Sequence, residues 1–538
     1  MRLRLCLRLR RLRLRLRRGW PVKAYSLKKG AAATLTALAA AAFAAAAADG
    51  VFRSGRFLAL DLGVSRYGRA DNWLPALLVF LGVLLLLTPL LWRVYARKSH
   101  AESLAPGLYH YYNGEKFGAR RIHLRVEKDG TAILMIDAYR VVHLNATAAA
   151  MVKYFLDDFP EKESLRRLAS AFRVSRAKAR RDYRRTLEKI DLLVNRGDVC
   201  PVSYFGIDKI EAFQTPVSAP YRMDLALTYR CNINCSHCYN QRRESAELTT
   251  AEWKRAMRIL WEHGVPHFDF TGGEPTLRDD LVELVTFAED LGAIAGLLTN
   301  GVRLADETYV GLLKRAGLDY VQVTLESARP EVHNRMVACD TFTRTVQGIR
   351  NAVEAGIHVL TNTTITRANR EGLEEIVPFL KSLGVGSFAV NSIIRAGKSR
   401  HVDRGLAEEE LLPLLDRLQR LAEQEGMKFI WYTPTQYCRL NPVEHDLGVK
   451  QCTAGKYNLA VEPDGTVIPC QSFFRPIGNI LHDSFDRIYN QDFLDSLRRR
   501  DWVMDKCREC EWLPVCGGGC PLQSTEDSFC CPDLLSNP

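Results

Sequence analysis

From Tyr221 to Gly426, short apolar runs of strand length alternate with longer amphipathic stretches of helix length, and the alternation occurs six times. Each long stretch ends at a glycine: Gly264, Gly292, Gly317, Gly356, Gly384 and Gly426. Glycine reaches the left-handed conformation that closes a helix and turns the chain into the next strand, so this punctuation predicts six parallel βα units. Thr249 and Glu252 have the spacing of a capping box at the start of the first helix. Six units are too few to close an eight-stranded barrel. The predicted fold is α/β, an open partial (β/α)6 barrel over residues 221–426.

Upstream, in residues 104–204, the period changes. Strand-like runs from Arg121 to Val126 and from Thr131 to Ile136 flank Asp129-Gly130, a hairpin turn. Helical periods follow from Ala146 to Phe155, from Lys162 to Phe172, and from Ser175, as N-cap, to Val194. This is a winged-helix order. The third helix carries Arg176, Lys178, Arg180, Arg181, Arg184, Arg185 and Lys189, opposite Tyr183, Leu187 and Ile190. Those charges fit a DNA reader or simply a solvated face.

Further upstream, Trp73 to Trp92 is twenty residues without a charge, followed by Arg93, Arg97 and Lys98. That length spans a bilayer, and the basic flank sets the following chain on the cytoplasmic side. Residues 31–48 are almost pure alanine and make a weaker span. Residues 31–92 are therefore expected to hold one or two membrane segments, the best at 73–92, in a cell-membrane protein whose following domains face the cytoplasm.

Charge adds little beyond that. The net charge of the 538 residues is +12, but residues 1–30 alone contain nine Arg, three Lys and no acid. This basic tip carries the whole excess, so the charge is a topology signal and no nucleic acid is expected as a partner. Twelve of the fifteen cysteines crowd into one triplet and a C-terminal cluster, unlike a secreted disulfide framework.

The triplet is Cys231-x3-Cys235-x2-Cys238, just after the strand-like run Asp224 to Thr228. Three thiolates hold three corners of an iron–sulfide cube and leave the fourth iron open, whereas a lone C-x-x-C favours zinc. Downstream, the run His267 to Phe270 ends in Thr271-Gly272-Gly273-Glu274-Pro275, where two glycines admit a ligand close to the backbone and a carboxylate accepts from an ammonium.

Together these motifs resemble the radical S-adenosylmethionine (radical SAM) enzymes. The resemblance implies that Cys231, Cys235 and Cys238 hold a catalytic [4Fe-4S] cluster whose open iron chelates SAM, and that Gly272, Gly273 and Glu274 bind its amino group. His237 stands where that family has an aromatic residue. Thr324 and Glu326 stand in a Thr-Leu-Glu-Ser run where relatives often read Ser-Leu-Asp-Gly beside the ribose. In a parallel βα fold, ligands collect at the C-terminal strand ends, where Thr299, Asn300, Thr324, Glu326, Asn362, Thr364 and Asn391 to Arg395 also fall. Cys339 lies past strand four, either facing the site or buried as a small apolar residue.

Residues 438–538 hold Cys452, Gly465-x4-Cys470, Cys507-x2-Cys510-x5-Cys516-x3-Cys520 and Cys530-Cys531, more thiols than one zinc needs. The order resembles the SPASM extension of radical SAM enzymes. That resemblance implies two auxiliary clusters: one on Cys452, Cys470 and Cys520, with Cys438 the nearest candidate for its fourth ligand, and one on Cys507, Cys510, Cys516 and one of Cys530 or Cys531. Two structural zincs remain the alternative.

The winged helix, including Val142-His143-Leu144-Asn145 before its first helix, resembles PqqD-like domains, which bind a leader peptide as an added strand. The expected activity is reductive cleavage of SAM to a 5′-deoxyadenosyl radical and oxidative modification of a peptide, such as thioether or carbon–carbon crosslinking. A flavodoxin- or ferredoxin-type electron donor is the expected second partner. Sulfatase-type maturation is disfavoured because those relatives place an Asp where this chain has Gln471. Haem-type cofactor synthesis and a non-catalytic, nucleic-acid-binding cluster sensor are the other rivals.

Overall fold

The computed structural model describes residues 104–112, 121–137, 140–195, 217–240, 246–401 and 405–523. The expected membrane segments, Cys530 and Cys531 lie outside these residues. Among the described residues no helix is long and apolar enough to cross a membrane.

The N-terminal domain is a four-stranded antiparallel sheet, β1 (Gly107–Tyr111), β2 (Ile122–Val126), β3 (Ala132–Ile136) and β4 (Arg140–Leu144), in that spatial order. Three helices follow, α1 (Ala146–Leu156), α2 (Glu161–Phe172) and α3 (Arg176–Asn195). The expected hairpin is β2–β3, and the structure adds a strand at each edge. Val142 to Leu144 belongs to β4, paired with β3, and the turn to helix comes only at Asn145, whose side chain caps α1 by accepting from Ala148 N at 2.9 Å. Ser175 caps α3 through Lys178 N, 3.2 Å.

Strand β2 reads apolar and polar in alternation, yet all five residues are buried. One face, Ile122, Leu124 and Val126, packs with Leu134, Ile136, Val152 and Ile190. The other face docks under the barrel. Arg125 Nη1 donates to Pro220 O (2.9 Å) and Gly264 O (3.0 Å), His123 Nε2 lies 2.8 Å from Gly292 O, and Arg121 pairs with Glu289 and, at 2.9 Å, with Asp319. Gly264 and Gly292 are helix-ending residues, and carbonyls at helix C-termini carry partial negative charge that suits a guanidinium.

In the barrel, strands β5 (Arg222–Thr228), β6 (His267–Gly272), β7 (Ile294–Thr299), β8 (Tyr320–Thr324), β9 (His358–Ile365), β10 (Ser387–Ser392) and β11 (Lys428–Trp431) run parallel in sequence order. The helices between them are α4 (Thr250–Glu262), α5 (Leu281–Leu291), α6 (Glu307–Arg315), the pair α7 (Pro330–Val337) and α8 (Phe342–Glu354), α9 (Ile376–Ser382) and α10 (Glu408–Gln424). Thus six βα units end in a seventh strand, and α7 is an added helix. All six punctuating glycines have positive φ, from +64° to +96°. The Thr249–Glu252 capping box is formed, with Thr249 N donating to Glu252 Oε2 at 2.8 Å.

The tail is not a separate bead. Strand β12 (Asn458–Val461) pairs parallel with β5 on the side away from β6, and β13 (Thr466–Ile468) and β14 (Gly478–Asn479) continue the sheet antiparallel. The resulting ten-stranded sheet runs from β11 to β14 without closing. Four short helices follow among the described residues of the tail: α11 (Phe485–Tyr489), α12 (Asp492–Arg499), α13 (Asp505–Arg508) and α14 (Leu513–Cys516).

Candidate active site

The cysteine loop leaves the C-terminal end of β5 and is gripped from three sides. Gly273 N donates to Thr228 O (2.6 Å) and Glu274 N to Arg230 O (2.8 Å), so the end of β6 clasps the start of the loop. A Cβ on Gly272 would lie 2.2 Å from Thr228 O, and one on Gly273 would lie 2.3 Å from Arg230 O. The two glycines are therefore required by this backbone clasp. From α7, Met336 O accepts Ser236 N and Val337 O accepts Asn234 N, both at 3.1 Å. From beyond β10, Ser399 N donates to Cys238 O (3.2 Å) and Lys398 bonds Asn234. None of these grips is visible in the motif itself.

The three thiols are partly exposed and close enough to repel one another. Burial lifts the Cys235 thiol well above its usual range, and Glu326, Cys238 and Cys231 raise it further. Thiolates so placed are stabilised by a cation, and a cube of iron and sulfide supplies that charge; the donor set fits it.

Glu274 is 1% exposed. Its Oε1 accepts from Thr276 N (3.1 Å), Thr276 Oγ1 (2.6 Å) and Thr299 Oγ1 (2.7 Å), and its Oε2 accepts from Asn300 N (2.8 Å). Burial raises its pKa against these bonds. A lone pair on Oε2 is left for an ammonium. Asn300 Nδ2 also donates to Asn232 Oδ1 within the cysteine loop, 2.7 Å. Thr299 and Asn300 therefore hold Glu274 and the loop in place.

Glu326 and His237 meet. His237 Nε2 lies 2.9 Å from Glu326 Oε1, Glu326 Oε2 accepts Thr364 N at 2.8 Å, and both side chains are buried. The Glu326 carboxylate is thereby engaged with the cysteine loop and β9, while Thr324, half-buried, ends β8. On β9 and β10, Asn362 Oδ1 and Asn391 Oδ1 are buried acceptors without a donor, as expected of residues lining a ligand's place.

The tail thiols fall into two groups. Burial pushes Cys470 up to about 12, with Cys452 adding to it, and Cys520 is raised by burial and then by Cys452 and Cys470. Cys516 is raised by burial and next, among its charged neighbours, by Cys438 and Cys507. The turn that carries Cys438, the nearest candidate for the fourth ligand of the first group, lies against Cys516, with Tyr437 N donating to Cys516 Sγ at 3.4 Å. Gln471, beside Cys470, accepts from Tyr239 OH at 2.9 Å, so the tail touches the chain just past the cysteine loop. A cavity of about 210 Å³ opens between the end of β10, Glu408 and Cys520.

Fold and site define an open parallel barrel with a three-thiol loop at its rim. Residues 225–383 match the radical SAM superfamily, and residues 452–511 match the SPASM iron-sulfur cluster-binding domain. A PqqA peptide cyclase of Gluconobacter oxydans (strain 621H) is 30% identical over 326 residues, covering 57% of this chain and 87% of the relative. One from Streptomyces rochei is 29% identical over 327 residues, covering 57% and 86%. The chain belongs to the radical SAM/SPASM family, whose cofactors are [4Fe-4S] clusters and SAM.

Among solved structures, Streptococcus suis SuiB shares the fold at 18% identity, with a TM-score of 0.57, over 74% of this chain and 94% of that one. It has also been solved with SAM and with its precursor peptide SuiA.

Proposed function

We propose that this chain is a radical SAM/SPASM maturase that oxidatively crosslinks a ribosomally made peptide. The observation that carries this reading is the shared sheet: β12 binds the edge of β5, so the tail thiols flank the barrel strand that leads into the cysteine loop. The cyclase relatives and the peptide-bound SuiB support a peptide as substrate.

When bound, the cluster and SAM supply a carbon radical that takes a hydrogen atom from the substrate. The chain's own residues do the rest. Cys231, Cys235 and Cys238 hold the cluster, Gly272, Gly273 and Glu274 receive the SAM amino group, and Thr299 and Asn300 fix Glu274. Thr324 faces the ribose. Glu326 acts through His237 by holding the loop, and Asn362 and Asn391 offer acceptors to the ligand. The gap between β11 and β14 admits a peptide, and the tail groups on Cys452, Cys470 and Cys520 and on Cys507, Cys510 and Cys516 would hold auxiliary clusters, which would supply a place for the surplus electron. Gln471, already bonded to Tyr239, supplies no carboxylate base there, which disfavours sulfatase-type chemistry.

The N-terminal domain acts as a PqqD-like leader-peptide reader, with the leader adding to the edge of its sheet. Residues 73–92 anchor the chain with its catalytic part in the cytoplasm, where a flavodoxin or ferredoxin supplies electrons. Anaerobic loading of the full chain, with iron counted, 5′-deoxyadenosine measured and a co-encoded precursor peptide weighed, tests the reading. About twelve irons, four for each of three cubes, with SAM cleavage and a loss of two hydrogens from the peptide, is the expected result. Iron loading without SAM cleavage overturns it.

A further inference from the structure

Tyr239 stands directly after Cys238, and Gln471 directly after Cys470. The Tyr239 hydroxyl donates to Gln471 Oε1 at 2.9 Å. Apart from that one hydrogen bond, the route from the Cys238 thiol to the Cys470 thiol is covalent throughout, running along the Tyr239 ring and the Gln471 side chain. The bond is not needed to fasten the tail, because β12 already pairs with β5 from Asn458 opposite Arg222 to Val461 opposite Leu225.

Both ends of the route are fixed. Ser399 N donates to Cys238 O at 3.2 Å, Asn240 Nδ2 donates to Gly272 O at 2.5 Å, and a Cβ on Gly397 would lie 2.1 Å from Tyr239 O. On the tail side, Phe473 N donates to Cys470 O at 3.0 Å. The half-buried ring between them packs against Ala396 from the barrel and Ala460, Ile468 and Phe474 from the tail, all four buried. Electrons tunnel more readily along bonds than across gaps, and a fixed, apolar surround lowers the reorganisation that each transfer needs.

The proposed crosslinking has an electron to place. Cleaving the carbon–sulfur bond of SAM consumes one electron, the carbon radical takes a hydrogen atom from the peptide, and closing the new bond releases one electron and one proton. We propose that Tyr239 and Gln471 form the bridge over which that electron passes from the group on Cys452, Cys470 and Cys520 back to the group on Cys231, Cys235 and Cys238. This rests on the reading of both thiol groups as cluster sites. The electron spent on SAM is thereby restored and the proton goes to water. The sum is SAM plus peptide giving methionine, 5′-deoxyadenosine, a peptide short of two hydrogens, and a proton. An external donor then primes the chain instead of feeding every turnover. Tyr239 and Gln471 are positioning residues, since neither has to touch the peptide.

The test uses the anaerobically loaded full chain. A flash with deazaflavin places one electron on it, and freeze-quench EPR follows that electron between the auxiliary signal and the core signal, the latter being the one that SAM shifts. Tyr239→Phe keeps the ring and removes the hydroxyl, Gln471→Leu removes the acceptor from the tail side, and Gln471→Glu keeps an acceptor. Exchange should slow about tenfold or more in Tyr239→Phe and Gln471→Leu at full iron, the usual scale for losing a partner behind a metal ligand, and should recover in Gln471→Glu. Where Tyr239→Phe loses iron, the two Gln471 variants decide by the same criterion. Exchange at the parent rate in the fully loaded Tyr239→Phe and Gln471→Leu chains overturns the bridge and leaves the cluster reading standing. If the parent holds only about four irons and shows no auxiliary signal, the cluster reading of the tail fails and the bridge goes with it.

Discussion

Gly273→Ala tests the clasp between β6 and the cysteine loop. The added Cβ would lie 2.3 Å from Arg230 O, 2.7 Å from Tyr229 O and 2.8 Å from Arg230 C. Carbon and oxygen settle at roughly 3.3 Å or more, so the backbone of 229–230 must retreat by about 1 Å. No side chain can yield in its place, because the obstructing atoms are main chain.

That retreat breaks Gly273 N to Thr228 O and Glu274 N to Arg230 O. The two bonds are worth about 1–3 kcal/mol together, and overpacking adds about 1–3 kcal/mol. The expected loss is about 2–6 kcal/mol, and a shift of about 1 Å at the site is expected to cut turnover about a hundredfold or more. Gly386→Ala is the control: nothing lies within 4 Å of its Cβ position, and it should stay within about 0.5 kcal/mol of the parent or gain slightly. Denaturant unfolding of the loaded chain and iron content read both variants. A Gly273→Ala chain as stable as Gly386→Ala, with full iron and SAM cleavage, would refute the clasp.

His237→Phe leaves the buried Glu326 carboxylate with only Thr364 N, and breaking such a pair costs about 3–5 kcal/mol; a double-mutant cycle with Glu326→Gln should show coupling above about 1 kcal/mol, and additive losses would count against the contact. Arg125→Met should cost about 2–4 kcal/mol by orphaning Pro220 O and Gly264 O; an unchanged denaturant midpoint would count against the docking of β2. Glu408 is mostly buried, and burial lifts its carboxyl to about 7. An acid raised in the folded state disfavours folding once it ionises there, so its stabilising protonated form is present below about pH 4.5 and is lost as pH rises through about 7. Glu408→Gln should therefore raise stability at pH 8 by about 2 kcal/mol and flatten the melting temperature between pH 6 and 8; an unchanged pH slope would show that Glu408 is not the cause.

Legibility in the sequence followed locality. The six glycines and the Thr249–Glu252 box are local chemistry, and each holds its expected place. Strands β1 and β4 were hidden because β1 is half-exposed and contains Gly107, while β4 runs directly into a helix. The pairing of β12 with β5 joins residues more than two hundred positions apart, and no local period records it. At the site, the cysteines and the Gly-Gly-Glu run could be read by spacing. The His237–Glu326 contact, the clasp and the place of Cys438 could not, since each depends on which loops meet in space.

The docking of β2 has a consequence of length. Arg121, His123 and Arg125 hold the N-terminal domain against the floor of the barrel, while the cysteine loop occupies the rim. Strand β6 crosses that height in six residues, roughly 20 Å at about 3.3 Å per residue. Under the proposed leader-reading role, a peptide gripped below and altered above runs around the wall, so its spacer spans at least that height, about six extended residues or more. On that proposal the distance from grip to target, as much as the residues flanking the target, is a ruler for where the bond is placed.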